Sequence, residues 1–136
     1  MFWDVTILNN TNLNKYITLD VPEEKFAGLR LNHQANLVRL ALLLKYGGVW
    51  ADATTFCINP LDEWIDDYSK SGFFVFSKPG PDRMIANWFI ASEKGNPLIA
   101  KLYKRYGSFW INNKRIIAPI KSERENNNVL VFTCCY

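Results

Sequence analysis

A helix with almost no polar side is the feature that most constrains the fold of this chain. Between about residues 35 and 46, apolar residues occupy every side of the predicted helix, at positions 37, 38, 40, 41, 42, 43 and 44. A surface helix keeps one polar face, so this helix is predicted to be buried nearly all round. Gly47-Gly48 follows as a stop signal of the left-handed C-cap type. The length of 136 residues allows one domain, with roughly two-thirds of its unfolded surface buried.

Composition and charge exclude several classes of protein. With 49% apolar and 15% aromatic residues, the chain is too rich in large apolar groups to be disordered. A net charge of +3 is too small to indicate nucleic-acid binding. The longest apolar stretches, Leu40–Leu44 and Phe73–Phe76, fall short of the ~20 residues that a membrane span needs. We therefore expect a soluble protein with no transmembrane segment and no nucleic-acid partner.

The cysteines and the first residues bear on the cellular compartment. Cys57, Cys134 and Cys135 form an odd set with two adjacent members, which does not indicate a disulfide framework. Residues 1–6 lack the basic region and apolar core of a signal peptide. Both observations favour a reducing, cytoplasmic location, in which Cys57 is a small buried apolar residue.

Strands alternate with helices along the chain, which is typical of an α/β arrangement. The pattern predicts strands at 2–8, 49–58 and 73–76, and leaves 85–91 open to strand or helix. Helices are predicted at 35–46, at 61–68 and from Asn96-Pro97 onward, where Asn is a good N-cap and Pro a good first residue. The buried stripe of this last helix is predicted at Leu98, Ile99, Leu102, Tyr103, Tyr106 and Trp110.

Two groups of charged residues have both a structural and a functional interpretation. The first has the spacing of a solvated helix face, with a metal site as the rival hypothesis: Asp62, Glu63, Asp66 and Asp67. The second either faces water or meets an anionic acceptor or a membrane surface: Lys101, Lys104, Arg105, Lys114 and Arg115. The solvated interpretation is favoured for both groups, and it leaves peripheral membrane contact open.

Two polar residues interrupt the apolar helix. Asn36 and Arg39 are spaced i and i+3, which places them on one side of it. A buried guanidinium needs a carboxylate, a phosphate or a sugar hydroxyl as its partner. The alternative is an arginine that extends along the surface to reach water or a distant carboxylate.

An aspartate follows the glycine pair in an unusual setting. If residues 50–54 are a strand, Trp50, Asp52 and Thr54 share one face, while the intervening alanines point away. Aspartate is unfavourable within a strand. A carboxylate at a strand end suits a Mg²⁺ or Mn²⁺ ion that keeps waters and takes its other ligands from substrate phosphates. The alternative is an ordinary turn or cap residue.

Taken together, these residues resemble the DXD sugar-binding region of glycosyltransferases. The resemblance rests on Asn36-x-x-Arg39, the apolar helix and the run Tyr46-Gly47-Gly48-Val49-Trp50-Ala51-Asp52-Ala53-Thr54. It is closest to the capsular polysaccharide synthesis branch, a relative of glycosyltransferase family 32. It covers about residues 3–110, with further ordered matches at 60–61, 73–76, 82–85, 87–90 and 94–99.

The resemblance implies a partial GT-A-type, Rossmann-like α/β domain that takes a nucleotide-diphosphate sugar. It also implies a divalent cation, Mn²⁺ or Mg²⁺, that bridges the donor diphosphate. Residues 1–111 are then the glycosyltransferase core fragment. Residues 112–136, where no match is found, are a divergent C-terminal tail of the same domain.

Roles for individual residues follow from the same resemblance. Asp52 matches the first acid of the DXD motif and Thr54 stands at the second, so both are assigned to the metal. Arg39 matches an arginine that holds the donor sugar or diphosphate, and it shares the catalytic role with Asp52. The implied donor-binding set is Asn36, Arg39, Gly48, Trp50, Asp52, Asn87 and Trp88.

The chain also departs from the branch it resembles. Asn36 stands where the family usually has Asp, so the charge that pairs with Arg39 is lost. Members are longer, with another strand and helix upstream and a C-terminal segment that often brings a histidine to the metal. The single histidine here, His33, precedes the motif and is interpreted as a local structural residue. The chain is therefore expected to be a fragment or a shortened relative.

The resulting hypothesis is transfer of a sugar to a saccharide or lipid-linked acceptor in capsule or surface polysaccharide synthesis. The resemblance implies retention of the anomeric configuration, with Asp52 and the metal stabilising the leaving diphosphate rather than attacking the sugar. A non-catalytic remnant or interaction subunit is the main alternative. A metal and phosphate-binding protein with only local likeness is a third.

Overall fold

A single antiparallel sheet and two long helices make up most of the part of the chain that the structure describes. This computed structural model describes residues 3–112 and 130–134. The strands are β1 (Asp4–Leu8), β2 (Gly48–Ala51), β3 (Phe73–Gly80), β4 (Arg83–Ser92) and β5 (Leu130–Cys134). The helices are α1 (Glu23–Ala27), α2 (Leu31–Tyr46), α3 (Ile65–Tyr68) and α4 (Pro97–Asn112), with 3₁₀ turns at Leu13–Lys15 and Leu61–Glu63.

The sheet has the order β1-β5-β2-β4-β3, and each neighbouring pair is antiparallel. β1, β2 and β3 therefore run in one direction, with β4 and β5 opposed to them. In the register, Trp50 of β2 lies between Ile90 of β4 and Phe132 of β5. The arrangement confirms the α/β class and is compatible with part of a GT-A-type domain. Among the described residues, no helix is long and apolar enough to span a membrane.

The two faces of the sheet carry separate apolar clusters. On one face, α2 packs against the sheet and α4 packs against α2, with Leu37, Leu42 and Ile99 fully buried among them. On the other face, a smaller cluster surrounds Val49 and Phe89. Paired residues of β2 and β4 alternate between the two clusters, as the pleat requires. α2 is thus covered along nearly its whole length, as its sequence predicted.

α2 ends at a glycine, Gly47, where the segment after β4 packs closely against the backbone. Gly47 has φ +72° and ψ −157°, which is a conformation open to glycine but is not the predicted left-handed cap. The segment after β4 folds over this helix end, where the Gly95 amide donates to the Leu44 carbonyl. A Cβ on Gly47 would lie 2.5 Å from the Lys94 backbone nitrogen.

Several predicted boundaries differ from those in the structure. α2 begins at Leu31 rather than near 35, and 85–91 is part of strand β4. β2 ends at Ala51 rather than 58, because the Thr55 amide donates to the Asp52 carbonyl and turns the chain. The predicted helix at 61–68 is divided between a 3₁₀ turn and α3, since Trp64 has non-helical φ and ψ.

Two predictions of burial are wrong. Cys57 was expected to be buried, but it follows the early end of β2 and is exposed. Leu98 and Leu102 are 45% and 39% exposed, because α4 presents Ile99, Tyr103 and Trp110 to the core instead. The acidic group at 62–67 is exposed, in agreement with a solvated face. Lys114, Arg115 and Cys135 lie outside the described residues, and the extent of the C-terminal tail stays a prediction.

The close approach at Gly47 generates a stability prediction. Gly47→Ala should lower the free energy of unfolding by more than about 2 kcal/mol, because backbone strain and steric overlap act together. Gly95 is a matched control, since its φ is also +72° but a Cβ there meets nothing within 4 Å. Gly95→Ala should cost only about 1 kcal/mol. Urea denaturation measures both, and equal losses would contradict the proposed overlap.

Candidate functional site

A polar stripe on α2 forms one wall of the candidate site. His33, Asn36 and Arg39 recur every three residues and therefore lie along one side of the helix. The Tyr106 hydroxyl of α4 and the Asn87 backbone of β4 face this stripe. The stripe is a polar side of a helix whose residues 37–43 are buried.

Arg39 is a buried cation at the centre of the site. Its side chain is 5% exposed, and its Nη2 lies 3.0 Å from Oδ1 of Asp52. Its Nη1 donates a hydrogen bond to the Asn87 carbonyl, and the guanidinium carbon lies 5.2 Å from the centre of the Trp50 ring. Burial lowers the pKa of Arg39, and the attraction of Asp52 opposes this shift. An arginine keeps its charge in proteins, so this charge must be neutralised by its surroundings.

Asp52 stands at the mouth of the site, directly after β2. Its Oδ1 accepts hydrogen bonds from Arg39 Nη2 at 3.0 Å and from Trp50 Nε1 at 2.6 Å. Its backbone amide donates to the Trp88 carbonyl at 2.8 Å. The side chain is 31% exposed, and no hydrogen bond from the described residues reaches Oδ2. One carboxylate oxygen is therefore anchored and the other is available to a ligand.

An irregularity in β4 surrounds the Asn87 carbonyl, which accepts from Arg39. Val75 pairs with Ile90 but Ser77 pairs with Ile85, so β4 carries extra residues between these pairs. Asn87 lies among them, and its carbonyl is directed to Arg39 instead of to the ladder with β3. Bulges of this kind often redirect groups next to functional sites.

A chain of hydrogen bonds extends from Asn87 to α4. The Asn87 side-chain amide donates to Asn36 Oδ1 at 3.3 Å, and Asn36 Nδ2 donates to the Tyr106 hydroxyl at 3.1 Å. The same hydroxyl lies 2.9 Å from Nδ1 of His33. The ring of His33 also packs on Trp110, with 4.5 Å between ring centroids. Burial, and then the charge of Arg30, lower the pKa of His33.

The structure brings together most of the residues predicted from the sequence, though in different roles. Asn36, Arg39, Trp50, Asp52 and Asn87 form one connected cluster. Trp50 is fully buried, so its ring does not form an exposed surface beside a bound donor. Its indole nitrogen instead donates a hydrogen bond to Asp52.

The three other predicted residues, Gly48, Thr54 and Trp88, are placed differently. Trp88 joins it through its carbonyl, while its side chain packs with the apolar cluster on the other face of the sheet. Thr54 lies in the exposed turn after β2. Gly48 is buried at the opposite end of β2 from Asp52, paired with Ser92.

Two members of the cluster were not predicted to belong to it. Tyr106 was assigned to the buried stripe of its helix, and His33 to a local structural role. The sequence did contain a signal for His33: it lies three residues before Asn36, which lies three residues before Arg39, so all three share one side of the helix. Nothing in the sequence pattern connects Tyr106 with these residues.

The arrangement fits a divalent cation only in part. Among residues 3–112 and 130–134, no group of three or more His, Cys, Asp or Glu side chains is placed to hold a metal ion. The Asp52 carboxylate has one oxygen to offer. Mg²⁺ typically takes one or two carboxylates together with waters and substrate phosphates, so a site shared with a donor diphosphate fits these residues.

A sizeable cavity among the described residues lies away from this cluster. It has a volume of about 990 Å³ and is bordered by the segment from Asn10 to Leu31 and by Gln34 of α2. None of the predicted site residues borders it. The Asp52 cluster is instead an open surface site, with exposed Asn87 and half-buried Asn36 beside it.

Comparisons with known proteins support a glycosyltransferase of the capsular polysaccharide synthesis family. A family described as capsular polysaccharide synthesis protein matches residues 2–118. The chain is similar to the O-glycosyltransferase braB of Annulohypoxylon truncatum, with 31% identity over 127 residues, 79% of this chain and 30% of that protein. It is 23% identical over 120 residues to the initiation-specific alpha-1,6-mannosyltransferase of Candida albicans, covering 74% of this chain and 31% of that protein.

A third relative is the glycosyltransferase afumC of Aspergillus fumigatus, with 31% identity over 87 residues, 57% of this chain and 22% of that protein. The chain thus spans less than a third of the length of these curated relatives. No solved structure matches it.

The buried ion pair generates a prediction about stability. Asp52→Ala should lower the free energy of unfolding by about 2 kcal/mol, because it leaves the Arg39 charge buried without its carboxylate. Asp67→Ala is the control, since Asp67 and Lys70 form a pair that is 75% and 76% exposed. That variant should lose less than about 0.5 kcal/mol. Equal unfolding midpoints for the two variants would contradict a structural role for the buried pair.

His33 gives a prediction that can be tested directly. As the single histidine, it yields one set of imidazole signals, and its NMR titration midpoint should fall below the ordinary value near 6.5. A folded pKa below the unfolded one means that the associated stability is present above pH ~6.5 and is lost as pH falls through the folded pKa. Arg30→Gln should move the midpoint upward. A midpoint above 6.5 would refute the half-buried, neutral imidazole.

Proposed function

Because the chain belongs to the capsular polysaccharide synthesis protein family, we propose that it carries the donor-binding site of a glycosyltransferase. The reaction is transfer of a sugar from a nucleotide-diphosphate donor to a saccharide or lipid-linked acceptor, in capsule or other surface polysaccharide synthesis. The observation that carries the proposal is the Asp52 carboxylate, which is anchored through one oxygen on buried Arg39 while its side chain stays 31% exposed.

The charges of the cluster suit a shared metal. Arg39 and Asp52 neutralise each other, so on their own they attract a diphosphate only weakly. A divalent cation on the outer oxygen of Asp52, Mn²⁺ or Mg²⁺, would make the site positive where the diphosphate binds. When bound, such an ion offsets the negative charge that develops on the leaving nucleotide. Thr54 is the second ligand that the family likeness implies, through its hydroxyl.

Arg39 supports this site from behind. Its guanidinium reaches Asp52 and the Asn87 carbonyl, and its side chain has almost no contact with solvent. We therefore assign it to holding Asp52 in place and to stabilising negative charge in a region of low dielectric constant. Trp50 has a similar supporting role, because its indole nitrogen binds the same carboxylate oxygen.

The polar groups at the surface suit the sugar. Asn87 is exposed and Asn36 is half-buried, and both carry amides that can donate to and accept from hydroxyl groups. Asp52 is held through Oδ1 by two donors, so its role is leaving-group stabilisation and not covalent attack. This assignment accords with a retaining transfer in which the protein supplies no nucleophile from this cluster.

A second candidate function is nucleotide binding without catalysis, as part of a larger assembly. It is favoured by the neutral residues Asn36 and Thr54 at positions where the related motif has acids. A cluster with one carboxylate holds a metal less tightly than a cluster with two or three. Hydrolysis of the donor sugar separates the two functions, because it requires leaving-group stabilisation as well as binding.

Calorimetric titration tests the proposed donor site. UDP and GDP, each with and without Mn²⁺, should show at least one saturable binding event that requires the metal. Asp52→Asn should weaken that binding at least tenfold, which corresponds to about 1.4 kcal/mol. This variant keeps the side-chain volume and one oxygen for Arg39 but removes the carboxylate charge, so its unfolding midpoint is measured together with its affinity.

Asp67→Asn is the matched control for this experiment, because it removes an equally negative but remote and exposed carboxylate. It should bind like the wild type. Equal affinities for Asp52→Asn and the wild type would disprove the metal assignment. Binding without turnover of any donor sugar would favour the second candidate function.

A further inference from the structure

A hydrogen-bonded chain connects α4 with the candidate donor site. It begins at the Tyr106 hydroxyl, passes through the amides of Asn36 and Asn87, and ends at Arg39 and Asp52. Consecutive members of this hydrogen-bonded chain lie on different elements, although Asn36 and Arg39 both belong to α2. The chain therefore fixes how α4, β4 and the end of β2 sit around α2.

We propose that Tyr106 is a positioning residue for the Asp52–Arg39 pair and acts through Asn36. The Tyr106 hydroxyl accepts a hydrogen bond from Asn36 Nδ2, which leaves Asn36 Oδ1 directed to the Asn87 amide. An asparagine amide has a donor end and an acceptor end, so fixing one end fixes the other. The effect on ligand binding rests on the proposed function, whereas the effect on the positions of Arg39 and Asp52 in the ligand-free protein does not.

The direction of the hydrogen bonds explains why asparagine suits position 36. The Tyr106 hydroxyl lies 2.9 Å from Nδ1 of His33 and, because it accepts from Asn36, we assign its own proton to that nitrogen. This assignment requires the neutral imidazole with its proton on Nε2. An ionised aspartate at position 36 has no proton to donate, so Tyr106 would have to turn its proton away from His33. The hydrogen-bond donors and acceptors of Asn36, Tyr106 and neutral His33 are thus mutually compatible.

The effect of Tyr106 reaches Asp52 through the irregular part of β4. The Asn87 carbonyl has no ladder partner in the register of β3, and its hydrogen bond from Arg39 Nη1 depends on where the bulge holds it. The Asn36 amide contacts the Asn87 side chain and helps to set that position. Without the Tyr106 hydroxyl, Asn36 is free to rotate, and both Asn87 and Arg39 lose a constraint.

Tyr106→Phe removes one oxygen and tests this role in the ligand-free protein. The Arg39 Nε–H group is buried and has no hydrogen-bond partner among the described residues, so its exchange with water reports on local opening. In ¹⁵N-labelled protein, Tyr106→Phe should speed exchange of Arg39 Nε–H and of the Asp52 amide about fivefold. The Arg39 signal is assigned by its absence from Arg39→Lys.

Tyr103→Phe is the matched control on the same helix. The Tyr103 hydroxyl accepts a hydrogen bond from the Asp20 amide at 2.9 Å, away from the donor site. It should leave both exchange rates unchanged, even if it lowers the unfolding midpoint as much as Tyr106→Phe does. Equal acceleration by the two variants would reduce Tyr106 to a structural residue and overturn the proposal.

A double variant tests whether Tyr106 acts through Asn36. Asn36→Ala should speed the same two exchange rates, and Tyr106→Phe should then add little on that background, because the intermediate contact is already gone. Additive effects would show that Tyr106 acts by another route and would overturn the proposal as stated.

The ligand experiment measures the consequence for binding. Tyr106→Phe should raise the Kd for the nucleotide diphosphate with Mn²⁺ about fivefold, and Tyr103→Phe should not change it. Unchanged affinity and unchanged exchange in Tyr106→Phe would overturn the positioning role. If the wild type binds neither UDP nor GDP, the proposed function fails, while the exchange rates still decide whether Tyr106 positions Arg39 and Asp52.

Discussion

The buried guanidinium of Arg39 is the group on which the rest of this structure depends. Its charge cannot be removed by deprotonation, and taking it out of water costs several kcal/mol unless charged and polar partners surround it. Those partners come from separate parts of the chain: a carboxylate after β2, a carbonyl in β4 and the face of the Trp50 ring. Each of these elements is therefore held in position relative to α2 by the same cation.

This requirement accounts for irregular features that would otherwise weaken the sheet. Asp52 lies just outside β2, where it escapes the unfavourable interior of a strand and still shares the side of Trp50. The extra residues in β4 free the Asn87 carbonyl for Arg39. Regular strand pairing is therefore interrupted beside Asn87 and ends just before Asp52, the two residues that bind Arg39.

The same geometry relates structural support to chemistry. Arg39 and Trp50 bind one oxygen of Asp52, and the Asp52 side chain stays 31% exposed, while the amides of Asn36 and Asn87 bind each other nearby. A carboxylate held in this way has little freedom left to lose when it binds a ligand, which is the advantage of preorganisation. The cluster contains several of the residues that the family likeness implied, and their roles in donor binding stay a proposal.

The sequence by itself determined the features that repeat over short distances. The apolar period predicted a buried α2, Asn96 was correctly expected to cap α4, and the glycine pair marked the end of a helix. It also indicated that Arg39, if buried, would need a partner. Only the tertiary structure decided that this partner is Asp52 together with the Asn87 carbonyl, that β2 ends at Ala51 and that Tyr106 joins the site. The reason is physical: periodicity is a property of neighbouring residues, whereas the contacts of Arg39 with Asn87 and of Asn36 with Tyr106 join residues 48 and 70 positions apart, which only the packing of complete elements brings together.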